Sequence, residues 1–343
     1  MLWINEQAPE GTEGPCRDQA PQFHQENPTI WGLRLIYQVR SEGRPTSAKL
    51  KTTDLPTSQA NASSPMIFTN LEDLFGLLDA TADDCLEVNQ VSADNFRAIE
   101  ERRDYKGCHY RFFYEHQTAL LLITIPISPH EVMHSWLASS VDIKADAMGL
   151  RAQLIPTNST TYRSTSSGVL EISLEGDSSR SLNPRTTPNR WPVLIIEAGY
   201  SQTIQQLRMR ARAWFLSSNF EVKIVVLAKM LVSERRIVLE KWKGIQVGDR
   251  TGIQAGDRTG SPRTRSEHRR TPQCVHIIEI SHPDAGEEPH SVSPESYRVT
   301  RGALRLDFEE LFLRSPVGED EADIIITEEE LQLYASVVWD VAG

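Results

Sequence analysis

Apolar and polar positions along this chain fall into two periods, one helical and one strand-like. Over 65–79 (PMIFTNLEDLFGLLD), Leu71, Leu74, Phe75 and Leu78 share one helical face, and Asn70 is placed to cap it. From Tyr110, the run FFYEHQTALLLITIPI predicts one or two strands. SPHEVMHSWLASSVDIKADAMGL then predicts a helix with a stripe of Val132, Met133, Trp136, Leu137 and Val141. Its expected N-cap is Ser128, with Pro129 first in the helix and Glu131 closing a capping box. AQLIPT and TTYR predict one strand or a bent pair. VLEISLEGD alternates with period two. Leu170, Ile172 and Leu174 lie on one face, Glu171, Ser173 and Glu175 on the other, and Asp177 falls just past the end.

SSRSLNPRTTPNR reads as a polar, turn-rich connection. WPVLIIEAG after it is apolar throughout, as a strand covered on both faces would be. SQTIQQLRMRARAWFLSS predicts a helix burying Ile204, Leu207, Ala211, Trp214 and Phe215, and EVKIVVLAKML and RRIVLEKW predict two further strands. A strand–helix–strand unit of this length favours a parallel pair with a right-handed crossover. GIQVGDRT at 244–251 is followed at once by GIQAGDRT at 252–259. Two copies are too few for a solenoid, so 244–272 is expected to be a duplicated, Arg-rich surface insert. QCVHIIEIS predicts a strand. TEEELQLYASVVWDV predicts a last helix with Thr327 as N-cap and Glu330 in a capping box.

Composition sharpens this outline. Residues 1–64 are rich in Pro, Gln, Ser, Thr and Asn, with only WGLRLIYQV able to form a strand, and are expected to be a disordered arm. Residues 65–114 form a helical and mixed lead-in, and 115–343 the α/β core. A net charge of -11 excludes a uniformly basic nucleic-acid coat. It leaves room for a local patch at 249–270, where six Arg face three acids; that segment either meets phosphates or is a solvated insertion. The acidic stretch 319–323 reads as a solvated loop or a screen against non-specific DNA. No apolar run approaches the roughly 18 residues of a membrane span, so no membrane partner is expected. The N-terminus MLWINEQAPEGTEG lacks the basic and apolar regions of a secretory signal. Cys16, Cys85, Cys108 and Cys274 are far apart with no CxxC pair, which suggests reduced thiols and an intracellular place, cytoplasmic or nuclear. There is no GxxxxGK[ST], GxGxxG or GxSxG.

Two constellations carry candidate chemistry. HEVMH at 130–134 puts two imidazoles one helical turn apart with a glutamate between, the pattern of a zinc protease. Against this, Glu131 has its expected capping role and no third ligand stands at a customary spacing. The second is Asp177 with Glu197. A carboxylate inside VLIIEAG is costly unless it is paired or binds a cation. Two carboxylates on adjacent strands can hold a divalent ion with waters completing its shell. Alternatively, Glu197 pairs with a core Arg or Lys and Asp177 caps a turn.

GDSSRSLNP (176–184), WPVLIIEAGYS (191–201), QLRMRARAWF (206–215) and EVKIVV (221–226) resemble the PD-(D/E)XK nuclease superfamily, in particular a set of uncharacterised fungal proteins sharing these strings. The resemblance covers about a third of the chain. It implies a restriction-endonuclease-like mixed sheet flanked by helices. It also implies Mg²⁺ or Mn²⁺ on Asp177 and Glu197, and nucleic acid as substrate. The superfamily's Lys two residues after the Glu is Gly199 here. In related branches the basic group moves to the following helix, which makes Arg208, Arg210 and Arg212 candidates, with Lys223 on the next strand. Arg stays protonated, so Arg208 would orient water or bind phosphate rather than act as a base; Arg210, Arg212 and Lys223 would contact nucleic acid. Each of the four can equally be a solvated surface cation. Glu175 either joins the acidic edge or is an exposed strand residue. The reading is therefore a metal-dependent nuclease, with an inactive nuclease-fold binding protein as the alternative and a zinc protease third. Oligomeric state is left open.

Overall fold

The computed structural model describes residues 65–343 except 159, 167, 184–190, 247–269, 282–292 and 343. The expected arm at 1–64 and most of the duplicated, Arg-rich insert lie outside the described residues. What is described is a mixed α/β structure with two mixed sheets and six α-helices.

The first sheet has the order β1 (Met66–Ile67), β2 (Cys85–Asn89), β4 (Leu120–Thr124), β3 (Arg111–Glu115), β7 (Val169–Glu175), β6 (Thr161–Ser166). The second runs β13 (Arg298–Thr300), β12 (Arg270–Ser281), β11 (Arg236–Gln246), β10 (Ile224–Leu231), β9 (Leu194–Gly199), β8 (Ser178–Leu182), β5 (Leu154–Pro156). A small hairpin pairs β14 (Leu304–Leu306) with β15 (Ile324–Ile326). The helices are α1 (Leu71–Ala80), α2 (Ala93–Lys106), α3 (Ser128–Ala147), α4 (Ile204–Ser217), α5 (Phe308–Phe312) and α6 (Glu328–Ala342).

Helix α4 lies between the sheets. Its Leu207, Ala211, Trp214 and Phe215 meet Phe113, Leu122, Ile172 and Leu174 of the first sheet and Ile195, Val225 and Leu227 of the second. Helices α1 and α2 cover the other face of the first sheet, through Leu74, Phe75, Phe96 and Ile99. Helices α3 and α6 cover the other face of the second, through Met133, Leu137, Tyr334 and Val338. Each such side chain contributes roughly 1.5–3 kcal/mol by leaving water. β9 shows why its sequence is apolar throughout: Leu194, Ile196 and Ala198 face the α3 layer and Ile195 faces α4. β9 and β10 are parallel, joined through α4 as the strand–helix–strand pattern requires.

Local expectations hold where the signal is local. Asn70 caps α1 by accepting from the Asp73 amide at 2.9 Å. Thr327 and Glu330 form their reciprocal box at the start of α6. Helix α3 differs: its N-cap is Ile127, with no side-chain cap, and Glu131 turns instead to Arg111 and His134. A partly buried cation across the structure outweighs a surface cap.

Other departures have non-local causes. AQLIPT and TTYR enter different sheets, as β5 and β6. SSRSL is not a turn but the buried strand β8. Its polar side chains are satisfied inside: Arg180 donates to both oxygens of Asp142 at 2.7 and 2.9 Å, and Ser179 Oγ lies 2.8 Å from Thr157 Oγ1. The two ends of the expected insert are strand, with Gly244 opposite Pro272 and Gln246 opposite Arg270. The division between lead-in and core at 114/115 falls inside β3, which pairs with both β4 and β7.

Candidate functional site

Gly176 and Asp177 carry the chain from β7 in the first sheet to β8 in the second. The β8–β9 register, Ser178 opposite Ile196, brings Asp177 beside Glu197. The Ala198 amide donates to Asp177 Oδ2 at 2.8 Å. Both carboxylates are fully buried. The two acids singled out in the sequence are thus neighbours.

What neutralises them comes from elsewhere. Arg210, on the inner face of α4, places its guanidinium 2.7 Å from Glu197 Oε2 as an ion pair without full hydrogen-bond alignment. Arg210 also donates to Thr124 Oγ1 and to the Glu175 carbonyl, each at 2.9 Å. The Trp214 indole donates to Glu197 Oε1 at 2.6 Å. His130 Nε2 is 3.3 Å from Asp177 Oδ2, close but not aligned as a hydrogen bond, while Nδ1 reaches Asp84 Oδ2 at 3.0 Å. Arg111 stands 3.6 Å from Asp177 and 2.7 Å from Glu131. Asp84 in turn accepts from the Tyr200 and Ser201 amides at 2.7 and 2.6 Å, fixing the bend after β9.

Charge follows from this arrangement. Burial alone would raise the Asp177 carboxyl, but His130, Arg210 and Arg111 outweigh it and hold the group well below its ordinary range. Burial raises the Glu197 carboxyl above its ordinary range, with Arg210 opposing and the adjacent Asp177 charge reinforcing the rise. Burial would lower His130; Asp177 and Asp84 outweigh it and lift the imidazole to about 9. The centre thus sets two buried carboxyls, Asp177 held low and Glu197 pushed up, among His130, Arg111 and Arg210.

The other candidates are dispersed. Arg208 bonds Glu240 at 2.5–3.1 Å, away from the pair. Arg212 is exposed and lies over the Trp242 ring at 5.3 Å. Lys223 donates to the Phe220 carbonyl at 2.6 Å. Glu175 is buried rather than exposed. It accepts from Arg103 at 2.8 Å, the Phe112 amide at 2.9 Å and Thr161 at 2.6 Å. No known protein family matches this chain, and no curated protein matches it.

Asp84 and Arg111 were not singled out in the sequence. Asp84 follows Asp83 just ahead of β2, and Arg111 opens β3; neither stands in a motif. A cavity of about 470 Å³ opens beside the centre, lined by Arg103, Tyr110, Arg111, Glu131, Thr161 and Glu175 among others. It reaches Arg111 and Glu131 but not the Asp177–Glu197 pair.

A hydrated Mg²⁺ or Mn²⁺ does not fit between Asp177 and Glu197. Such an ion keeps several waters, and this pair is closed to solvent with its charge already met by a fixed guanidinium. Among the described residues no helix is long and apolar enough to cross a membrane.

Proposed function

We propose that this chain is a nuclease-fold protein that does not hydrolyse phosphodiesters and works as a binding module. The restriction-endonuclease-like fold is part of this reading. It rests on one observation: the buried Arg210 guanidinium, 2.7 Å from Glu197, occupies the charge position a metal would take. Two cations at such a distance in a dry site repel strongly. The position of the absent Lys agrees. A Cβ on Gly199 would come within 3.0 Å of Leu207 Cδ1 and 3.2 Å of Gln202 Cβ, so packing leaves little space for a longer side chain. The cavity lined by Arg103, Arg111, Glu131 and Glu175 is the concave polar surface for a partner.

A second reading, a Mg²⁺- or Mn²⁺-dependent nuclease acting on nucleic acid, is favoured by the meeting of Asp177 and Glu197 at the β8–β9 edge. The two are separated by incubating plasmid, single-stranded DNA and RNA with either ion, using wild type and Glu197→Gln. The binding-module reading expects the same background from both proteins. Metal-dependent cutting by wild type that disappears in a folded Glu197→Gln overturns it.

A further inference from the structure

The two imidazoles of HEVMH remain. His130 and His134 stand one turn apart on α3, ring centroids 5.5 Å from each other. Each has its Nδ1 committed: His130 to Asp84 Oδ2 at 3.0 Å, and His134 to Ser178 Oγ at 2.9 Å. Assigning one proton to Nδ1 in both rings, by these partners, makes each Nε2 the atom that can face a metal, in His130 after it gives up its second proton. Both Nε2 atoms are buried and neither makes an aligned hydrogen bond. Glu131 Oε1 lies 3.2 Å from His134 Nε2, and Asp177 Oδ2 lies 3.3 Å from His130 Nε2. The ligand atoms of His130, Glu131 and His134 all fall within 4.8 Å of one another.

These spacings have a chemical meaning. Donors about 2.0–2.1 Å from a tetrahedral ion stand roughly 3.3–3.4 Å apart, close to the two shortest separations here. A metal-bound histidine characteristically gives its other ring N–H to a carboxylate or another fixed acceptor, as His130 does to Asp84. Imidazole donors select zinc and its neighbours over magnesium or calcium.

The geometry points to a structural transition-metal site of the zinc class, held by His130 Nε2, His134 Nε2 and Glu131, with Asp177, which borders His130 outside that cluster, moving in as the fourth donor. Asp84 and Ser178 position the two rings. The ion displaces the Nε2 proton of His130 to solvent and ties α3 to the β7–β8 crossing. Glu131 serves as a ligand fixed by Arg111, not as the base of a peptidase, and His130 has no exposure through which a peptide could reach it. The site does not rest on the Asp177–Glu197 pair being non-catalytic, because its test reads occupancy and not cleavage.

The test uses the full chain, purified without a histidine tag, stripped with chelator and titrated with Zn²⁺ and with Co²⁺. The expected result is one ion per chain, a raised thermal midpoint with Zn²⁺, and a visible Co²⁺ absorption band typical of four-coordinate nitrogen and oxygen ligation. His134→Gln should lose all three while keeping its far-ultraviolet circular dichroism. Should that variant not fold, Glu131→Gln at the half-exposed ligand replaces it and should show the same loss. Asp84→Asn should weaken Zn²⁺ binding by roughly 10–100-fold, the usual effect of removing such a partner. Folded wild type without stoichiometric ion and without a thermal shift overturns the site. So does a folded His134→Gln or Glu131→Gln that binds like wild type.

Discussion

Arg210 and Glu197 form an ion pair 2.7 Å apart in which neither side chain reaches solvent, and it links the helix between the sheets to the strand beneath it. Such a pair stabilises little against an apolar replacement, yet losing one partner is severe because a charge or an unmatched polar group stays buried. Arg210→Ala should therefore lower unfolding free energy by about 3–5 kcal/mol in urea titrations. Arg210→Met with Glu197→Leu should recover much of the loss. A single Arg210→Ala indistinguishable from wild type would show that Arg210 does not neutralise the centre.

Gly199 stands where the resemblance places a catalytic Lys. Gly199→Ala should cost about 1–3 kcal/mol, because Leu207 and Gln202 must yield to the new methyl. Gly199→Lys should be less stable still and should not create metal-dependent cleavage. Thermal midpoints and the plasmid assay read the two effects separately.

Asp307 lies between Lys241 at 3.2 Å and Lys243 at 3.4 Å. Burial would raise its carboxyl, but the two lysines outweigh this and hold it below its ordinary 3.8. A depressed acid contributes stability above its unfolded pKa and loses it as pH falls through the folded one. The urea midpoint of wild type should thus drop more steeply than that of Asp307→Asn as pH is lowered from 5 through 3. Parallel curves would remove Asp307 from the acid response.

Cys85 is buried at the start of β2. Burial, reinforced by the adjacent Asp84 charge, pushes its thiol up to about 12. Thiolate is the reactive form, so Cys85 should stay unmodified under alkylation at neutral pH, while the less buried Cys108 and Cys274 are labelled. Site-resolved mass spectrometry after brief iodoacetamide treatment checks the order. Early modification of Cys85 in folded protein would contradict its burial.

Several of these features were legible before any coordinates. Asn70 and Thr327 act where their spacing places them, because a cap is satisfied within one turn. Asp177 meets Glu197 through β8, which reads as a turn in the sequence, and not through β7, which lies in the other sheet. The choice among Arg208, Arg210 and Arg212 was not legible either. Two residues along α4 turn a side chain from the Glu240 edge to the buried pair, and only the position of both sheets says which side is inside.

The sequence by itself determined the α/β order, the helix carrying HEVMH and the parallel strand–helix–strand unit around α4. All depend on periods and caps read within a few residues. Tertiary structure alone decided that SSRSL is a buried strand, that Glu131 leaves its cap for Arg111, and that Asp84, 46 residues before His130, completes the centre. The physical reason is common to the three. A polar group is buried only where a distant partner offsets its lost hydration, and that partner is supplied by the fold.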